Sequence, residues 1–199
     1  MEPTVIELGR RDLLVVAGMP GAGKTTMLRR AAGALPVLDS DQVRVRLADL
    51  LPDAVPYRWY RPLVHLCHRT RIVARAAGTR GPLVVHEPAT RASTRRWLAA
   101  VAAVTGRPAR LLWLDVTAEE ALAGQHSRGR LVRARSFARH AARAARMREA
   151  LADGSRPPGW HSVHVLGRPA ARRAVLVFTP AGTVRTPVPS TVSGSRSAG

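Results

Sequence analysis

The sequence predicts an α/β fold: a three-layer sandwich around a mostly parallel, five-stranded sheet. Three observations predict it. Short apolar runs recur at 13–17, 83–86 and 111–116, helical stretches separate them, and glycine or proline punctuates the junctions. Runs this apolar read as strands buried on both faces, which is the signature of a parallel sheet.

The elements follow in order. LLVVA at 13–17 is the first strand, GMPGAGKTT follows it, and MLRRAAGAL is a helix stopped near Gly33 and Pro36. Val37-Leu38 begins a second strand that runs into Asp39-Ser40-Asp41, and QVRVRLADLL is the next helix. The proline-rich stretch 51–62 reads as a loop, 63–77 as a helix, and 83–86 as the third strand. Glu87-Pro88 leads to a helix running through Arg95 to Val104. LLWLDV at 111–116 is the fourth strand, and Thr117 with Glu120 forms a capping box for the helix after it. Residues 124–135 are polar and arginine-rich, as a lid would be; 136–151 is an Ala/Arg helix. Residues 163–166 give the fifth strand, and 174–178 are expected to add an edge strand. The domain is expected to span 1–179, with 180–199 a disordered tail of Pro, Ser, Gly and Thr.

Ligands of such sheets sit beyond the carboxyl ends of the strands. Gly18-Met-Pro20-Gly21-Ala22-Gly23-Lys24-Thr25 matches G-x-x-x-x-G-K-[ST] between a strand and a helix, the context that gives the pattern meaning. The glycines let backbone N–H groups turn inward onto phosphate, and the helix N-terminus adds its positive dipole end. Gly18 to Thr26 is therefore the predicted site for a nucleoside triphosphate, ATP or GTP. Lys24 would reach the β- and γ-oxygens, and Thr25 would join a Mg²⁺ shell. Lys24 is the only lysine in the chain; every other basic residue except histidine is arginine. A compact ammonium fits a tight phosphate cradle that the forked guanidinium does not, so this composition singles out Lys24.

Asp39, Asp41, Glu87 and Asp115 are the acids at predicted strand ends. Asp115 precedes a helix cap and reads as structural. Asp41 is placed to take the proton of an acceptor hydroxyl, as a base in phosphoryl transfer does; Asp39 or Asp41 could equally cap the helix that follows. Glu87 is the candidate for holding Mg²⁺ through water or for contacting the acceptor, with a solvated loop acid as the plain alternative.

Lysine and arginine number 32 against 13 acids, a formal charge of +19. That surplus suggests polyanionic partners, nucleic acid among them. A composition rich in Ala, Arg, Gly, Pro and Val, as a GC-biased genome yields, explains it nearly as well, and aromatics at 4% are few for a single-strand stacking platform. No apolar run is long enough to span a bilayer, the first residues show no secretory pattern, and Cys67 is the only cysteine, so the expected location is cytoplasmic, with no membrane partner.

GxPGxGKTT, a strand ending in DSDQVR, LVVHEPATRASTRRWL, LLWLDV and the SRGR lid together resemble the polynucleotide-kinase and zeta-toxin branch of small P-loop kinases, also grouped with AAA-family ATPases. The resemblance covers about 13–151 and implies a P-loop NTPase sandwich with an arginine-rich lid. It implies that Asp41 is the base and Arg44 an acceptor contact, through the Asp-x-x-Arg pattern after the second strand. Glu87, Arg91, Arg95 and Arg96 fall on the segment after the third strand. Arg128, and with it Arg130 or Arg133, would be lid arginines that stabilise charge on the moving phosphoryl group. Arg168, after the fifth strand, falls where such kinases place base contacts. The chain departs from the pattern at Gly124, where the family usually carries an arginine, and residues 51–78 show no acceptor signature.

Other features carry plainer readings. Arg135, Arg139, Arg143 and Arg146 lie on one helical face, which is more often solvated than phosphate-gripping. His65, Cys67 and His68 lack the further ligands that a zinc site needs. Trp59 and Tyr60, between Arg58 and Arg61, could stack on a base or pack under the loop, and His161 and His164 flank the fifth strand without a partner. The function expected is transfer of the ATP γ-phosphoryl to a hydroxyl acceptor, small or nucleic. The alternative is a nucleotide-hydrolysing switch or a nucleic-acid-binding ATPase.

Overall fold

The computed structural model describes residues 2–127, 129 and 131–179. Fourteen elements are placed among them: β1 (Thr4–Leu8), β2 (Leu13–Gly18), α1 (Lys24–Ala31), β3 (Val37–Asp39), α2 (Ser40–Leu50), α3 (Tyr57–Gly78), β4 (Leu83–His86), α4 (Ala92–Val104), β5 (Ala109–Asp115), α5 (Ala118–His126), α6 (Ala134–Ala152), β6 (Ser162–Gly167), α7 (Arg168–Ala171) and β7 (Ala174–Phe178). The main sheet has the order β3-β4-β2-β5-β6, every pair is parallel, and helices flank it. Every residue of β2 is buried, as are Leu83 to Val85 of β4 and Leu111 to Leu114 of β5. Burying both faces of three adjacent strands supplies the main hydrophobic drive, at about 25 cal/mol per Å² of apolar surface.

The sheet order fixes where a ligand must go. After β2 the chain lays down β3 and β4 on one side, then crosses to β5 on the other. The switch therefore falls at the carboxyl end of β2, which is where the glycine loop begins.

Three boundaries differ from expectation. The run 174–178 is a strand, but it does not join the edge of the main sheet. It pairs in parallel with β1, from Thr4↔Ala174 to Leu8↔Phe178, in a separate two-stranded sheet. Residues 51–62 are only partly loop, since α3 already starts at Tyr57 and carries Pro62 inside it. A proline there forfeits one backbone hydrogen bond, yet α3 buries Val64, His68, Ile72 and Ala76, spaced by four, along a single stripe. The expected lid is shorter as well: α5 continues through Gly124 and Gln125 to His126, and α6 begins at Ala134. The proposed tail lies outside the described residues.

Fixed points hold the far end of the sheet. Asp12 is buried, accepts from the Gly9 N–H at 2.7 Å, and pairs with Arg110 Nε at 2.5 Å. Buried Arg107 donates to the carbonyls of Ala76, Thr79 and Gly81, tying the end of α3 to the start of β4. Among the described residues no helix is long and apolar enough to cross a membrane.

Candidate active site

The loop between β2 and α1 is built by backbone. Gly23 is the N-cap of α1 at φ 94°, a left-handed conformation open to glycine at little strain, and no side chain caps the helix. The first turn holds no acid, so its N–H groups and dipole end are presented outward. Lys24 is buried at the same end, with Nζ donating to the carbonyls of Gly18 at 2.9 Å and Met19 at 2.8 Å. Gly18 N–H donates to Pro88 O at 3.0 Å, which joins the loop to the turn after β4.

A second contact explains a departure in the sequence. A Cβ on Gly124 would lie 2.3 Å from Gly21 O, and one on Gly21 would lie 2.0 Å from Ala121 O. Helix α5 thus touches the loop backbone to backbone, and an arginine at 124 has no room. Gln125 beside it is buried; its amide donates to Pro20 O at 3.1 Å and accepts from Val132 N–H at 2.8 Å. That side chain bridges the loop to the segment before α6. The sequence carries no local sign of the loop contact, because Pro20 lies 105 residues from Gln125.

Two cavities are lined in part by the loop, and a third is lined by the turn after β4 that Gly18 N–H bonds. The first, about 200 Å³, is lined by Gly21, Gly23, Thr26, Gly124, Arg168 and Arg172. Arg168 is held there by Glu120, donating to its carbonyl at 2.8 Å and lying 3.7 Å from its carboxylate. The second, about 900 Å³, brings together Thr25, Asp39, Asp41, Arg44 and His86. The third, about 590 Å³, is lined by Glu87, Arg91, Arg133 and His140, with further arginines. Thr25 and Asp41 therefore share a cavity, whereas Glu87 opens onto a different one. Arg128 and Arg130 lie outside the described residues.

The two aspartates of the second cavity differ in employment. Asp39 caps α2, accepting from the Asp41 N–H at 2.9 Å in a full capping box with Gln42. Its other oxygen lies 2.6 Å from His86 Nδ1. Burial alone would raise the Asp39 pKa. The hydrogen bond and charge of His86, helped by the Asp41 N–H and the charge of His68, outweigh burial and hold it below 3.8. Asp41 stands in the first turn of α2, more exposed, with Oδ1 3.0 Å from Arg44 Nε. Of the two, Asp39 is the cap.

His86 carries no sequence signal of its own: it meets Asp39 only because the two are register partners at the ends of adjacent parallel strands. The turn after β4 was missed too. Ala89 has φ 46°, the one positive-φ residue other than glycine among those described, and Arg95 holds the strained turn by donating to the carbonyls of Ala89 and Thr90, both at 2.9 Å. Thr90 Oγ1 lies 2.8 Å from His140 Nδ1. His140 has its pKa pushed down, first by burial, then by Arg143, Lys24, Arg91 and Arg139. Behind Glu87, the buried His68 has Nε2 at 3.6 Å from Glu87 Oε2, too long for a hydrogen bond.

The donor set fits a triphosphate: an uncapped helix N-terminus, a buried ammonium beside it, and the hydroxyls of Thr25 and Thr26. Among the described residues no group of three or more His, Cys, Asp or Glu is arranged to hold a metal ion. Thr25 with Asp39 and Asp41 nearby is instead an oxygen-donor set of the kind that Mg²⁺ shares with phosphate and water.

Residues 13–153 match the family model described as AAA domain. The chain belongs to that family. None of the curated proteins matches the sequence of this AAA-domain protein. Solved structures do match its fold. A chain of the PezAT chromosomal toxin-antitoxin system of Streptococcus pneumoniae aligns with TM-score 0.58 at 14% identity, covering 81% of this chain and 69% of that one. Shikimate kinase from Acinetobacter baumannii, in complex with shikimate, aligns with TM-score 0.50 at 18% identity, covering 81% and 87%. The tunicamycin resistance protein of Deinococcus radiodurans aligns with TM-score 0.50 at 18% identity, covering 70% and 81%. At these identities the likeness is one of fold, the P-loop kinase type.

Proposed function

We propose that this AAA-domain protein is a phosphotransferase that moves the γ-phosphoryl group of ATP or GTP, with Mg²⁺, to a hydroxyl acceptor. The observation that carries the reading is the buried Lys24 at the uncapped start of α1, with Thr25 and Asp41 lining one cavity beside it. Mg²⁺ would neutralise charge on the phosphates. Lys24 and the loop N–H groups hold those phosphates, and the Thr25 hydroxyl is a ligand to the cation. Asp41 takes the acceptor proton, and its pairing with Arg44 keeps the carboxylate oriented. Arg168 contacts the base side of the nucleotide from the small cavity. Glu87, Arg91 and Arg133, which line a cavity that Asp41 does not, would hold the part of the acceptor away from its reacting hydroxyl, and Arg128 and Arg130 would close over the transferring group. The likeness in fold to shikimate kinase, a kinase by name, supports the reaction class. The Asp41–Arg44 pair supports placement in the polynucleotide-kinase and zeta-toxin branch.

The test offers γ-labelled ATP and Mg²⁺ with a panel of hydroxyl compounds to the wild type, Asp41→Asn, Asp39→Asn and Glu87→Gln. Asp41→Asn should lower transfer by about 10²–10⁴-fold, as loss of a base does. Asp39→Asn should lower stability by about 1 kcal/mol through the cap, with a smaller effect on rate. Transfer that survives Asp41→Asn and fails in Asp39→Asn or Glu87→Gln would move the base to that residue. Release of phosphate to water alone, whatever acceptor is offered, would favour a nucleotide-hydrolysing switch.

A further inference from the structure

The cavity of about 590 Å³ between α3, the turn after β4 and α6 has an unusual wall. Seven arginines line it against a single carboxylate, Glu87. Elsewhere the chain pairs its arginines with the few acids it has: Arg44 with Asp41, Arg110 with Asp12, Arg148 with Asp115 and Arg168 with Glu120. Among the described residues no carboxylate lies within ion-pair distance of Arg91, Arg133, Arg139 or Arg143. Uncompensated like charges on a concave wall repel one another and focus a strong positive potential into the space they enclose. His140, on the same wall, is held toward its neutral form by burial and by Arg143, Lys24, Arg91 and Arg139. The field at this wall thus includes the ammonium of the phosphate loop.

The positive wall continues away from the loop. A neighbouring cavity of about 760 Å³ shares Thr90, Arg91 and Arg143 with the first and adds Arg95, Arg96, Arg146 and Arg156, with no acid in its lining. Charges spread over two adjoining cavities match a ligand with several anionic groups set apart, rather than one carboxylate. Neither lining contains a Trp, Tyr or Phe, and Trp97 nearby is covered by the Arg69 guanidinium, 5.2 Å from its ring centre. A nucleic-acid strand gripped through stacked bases needs such a platform, and a compact phosphate ester does not.

We propose, resting on the phosphotransferase reading, that the acceptor is a small hydroxyl compound already bearing two or more phosphate groups, which Arg91, Arg139 and Arg143 hold. Guanidinium forks pair with phosphate through two hydrogen bonds each, which suits arginine for this recognition.

The test uses the full chain saturated with Mg²⁺ and a non-hydrolysable ATP analogue, so that the phosphate loop is filled. Fructose 1,6-bisphosphate, fructose and a 5′-hydroxyl oligothymidine are each titrated by calorimetry. The bisphosphate should bind at least about tenfold more tightly than fructose, and more weakly as salt rises. Arg139→Ala with Arg143→Ala should weaken it by about tenfold or more, with nucleotide-analogue affinity and Tm kept as controls for folding. The corresponding double lysine variant should recover part of the loss. Arg75→Ala, exposed on α3 and outside both cavities, should change nothing.

Fructose binding as tightly as its bisphosphate, or bisphosphate binding unmoved in the double alanine variant, would overturn the proposal. Tighter binding of the oligothymidine would overturn it in favour of a strand-binding surface. With γ-labelled ATP, label should enter phosphorylated sugars in preference to their neutral parents. Equal transfer to both would overturn the acceptor class alone. Arginine-dependent binding with no transfer to any acceptor would instead overturn the phosphotransferase reading, and the acceptor role with it.

Discussion

On one side of the phosphate loop the groups that face a ligand are mostly backbone; on the other they are side chains, nearly all cationic. The donor side is made of the N–H groups of an uncapped helix, a left-handed Gly23 and one buried lysine. Its shape depends on atoms too close together to admit a Cβ, as where Gly21 meets Ala121 and Gly124 meets Gly21. The proposed acceptor side is made of arginine and histidine side chains carried by α3, α6 and the residues just before α4 and α6, beside the positive-φ turn at Ala89. The contrast teaches that the two sides should respond to different changes. Adding one methyl group should damage the donor side, and removing one charge should damage the acceptor side.

The largest effect is expected at Lys24. Lys24→Ala should lower kcat/KM by at least about a hundredfold, the scale for losing one donor to a developing charge. Lys24→Arg should not restore it, because the lysine sits in a buried slot between two carbonyls where the planar guanidinium does not fit. Steady-state kinetics against nucleotide, with circular dichroism to confirm folding, checks both.

Gly124→Ala comes next. Its Cβ would meet a backbone oxygen, so α5 must shift away from the loop, at about 1–3 kcal/mol for overpacking. The expected readout is a lower Tm and a raised KM for nucleotide, with KM for acceptor little changed. A variant as stable and as tight for nucleotide as the wild type would show that the close approach of α5 does not shape the loop. Gln125→Ala removes the bridge between Pro20 and Val132 and leaves both groups without that partner. The expected loss is about 1 kcal/mol, read by chemical denaturation.

The donor side was legible in the sequence because its information is local. A strand, five residues and a helix that opens on the lone lysine carry the whole pattern. The capping box at Thr117 and Glu120 was equally local, and both of its hydrogen bonds are present. What escaped detection depends on residues distant in the chain. The pairing of β1 with β7 joins the two ends of the described chain, and neither strand's sequence names the other. The His86–Asp39 contact follows from strand order, which alternation alone does not give. Residues 51–62 misled for a different reason: proline density signals a loop, yet the buried stripe beginning at Val64 is strong enough to carry the helix back through Pro62. Of the α6 arginines read as a solvated face, Arg135, Arg139 and Arg146 are exposed; that Arg139 and Arg143 share a cavity wall with α3 and the turn after β4 is a tertiary fact no local pattern carries.

The smallest effect concerns pH. His65, His140 and His164 all have pKa values lowered from 6.5, chiefly by burial. The unfolded chain then binds more protons than the folded one as pH falls through about 6.5, so stability should decline on the acid side of that value. Asp39 acts in the same direction but in a lower window. Its lowered pKa adds stability above the ordinary carboxylate range, and that stability is lost only as pH falls below 3.8. His140→Gln should therefore flatten the decline near neutrality and leave the strongly acid limb unchanged, as followed by Tm across pH.

If the two sides of the loop act on one phosphoryl group, ATP consumed and acceptor phosphorylated are coupled, and measuring both is the most direct test. With Mg²⁺ and a phosphorylated sugar acceptor, close to one acceptor should be phosphorylated per ATP consumed, with ATP turnover slow when acceptor is left out. ATP turnover at the same rate with and without acceptor, and label found only in free phosphate, would contradict it.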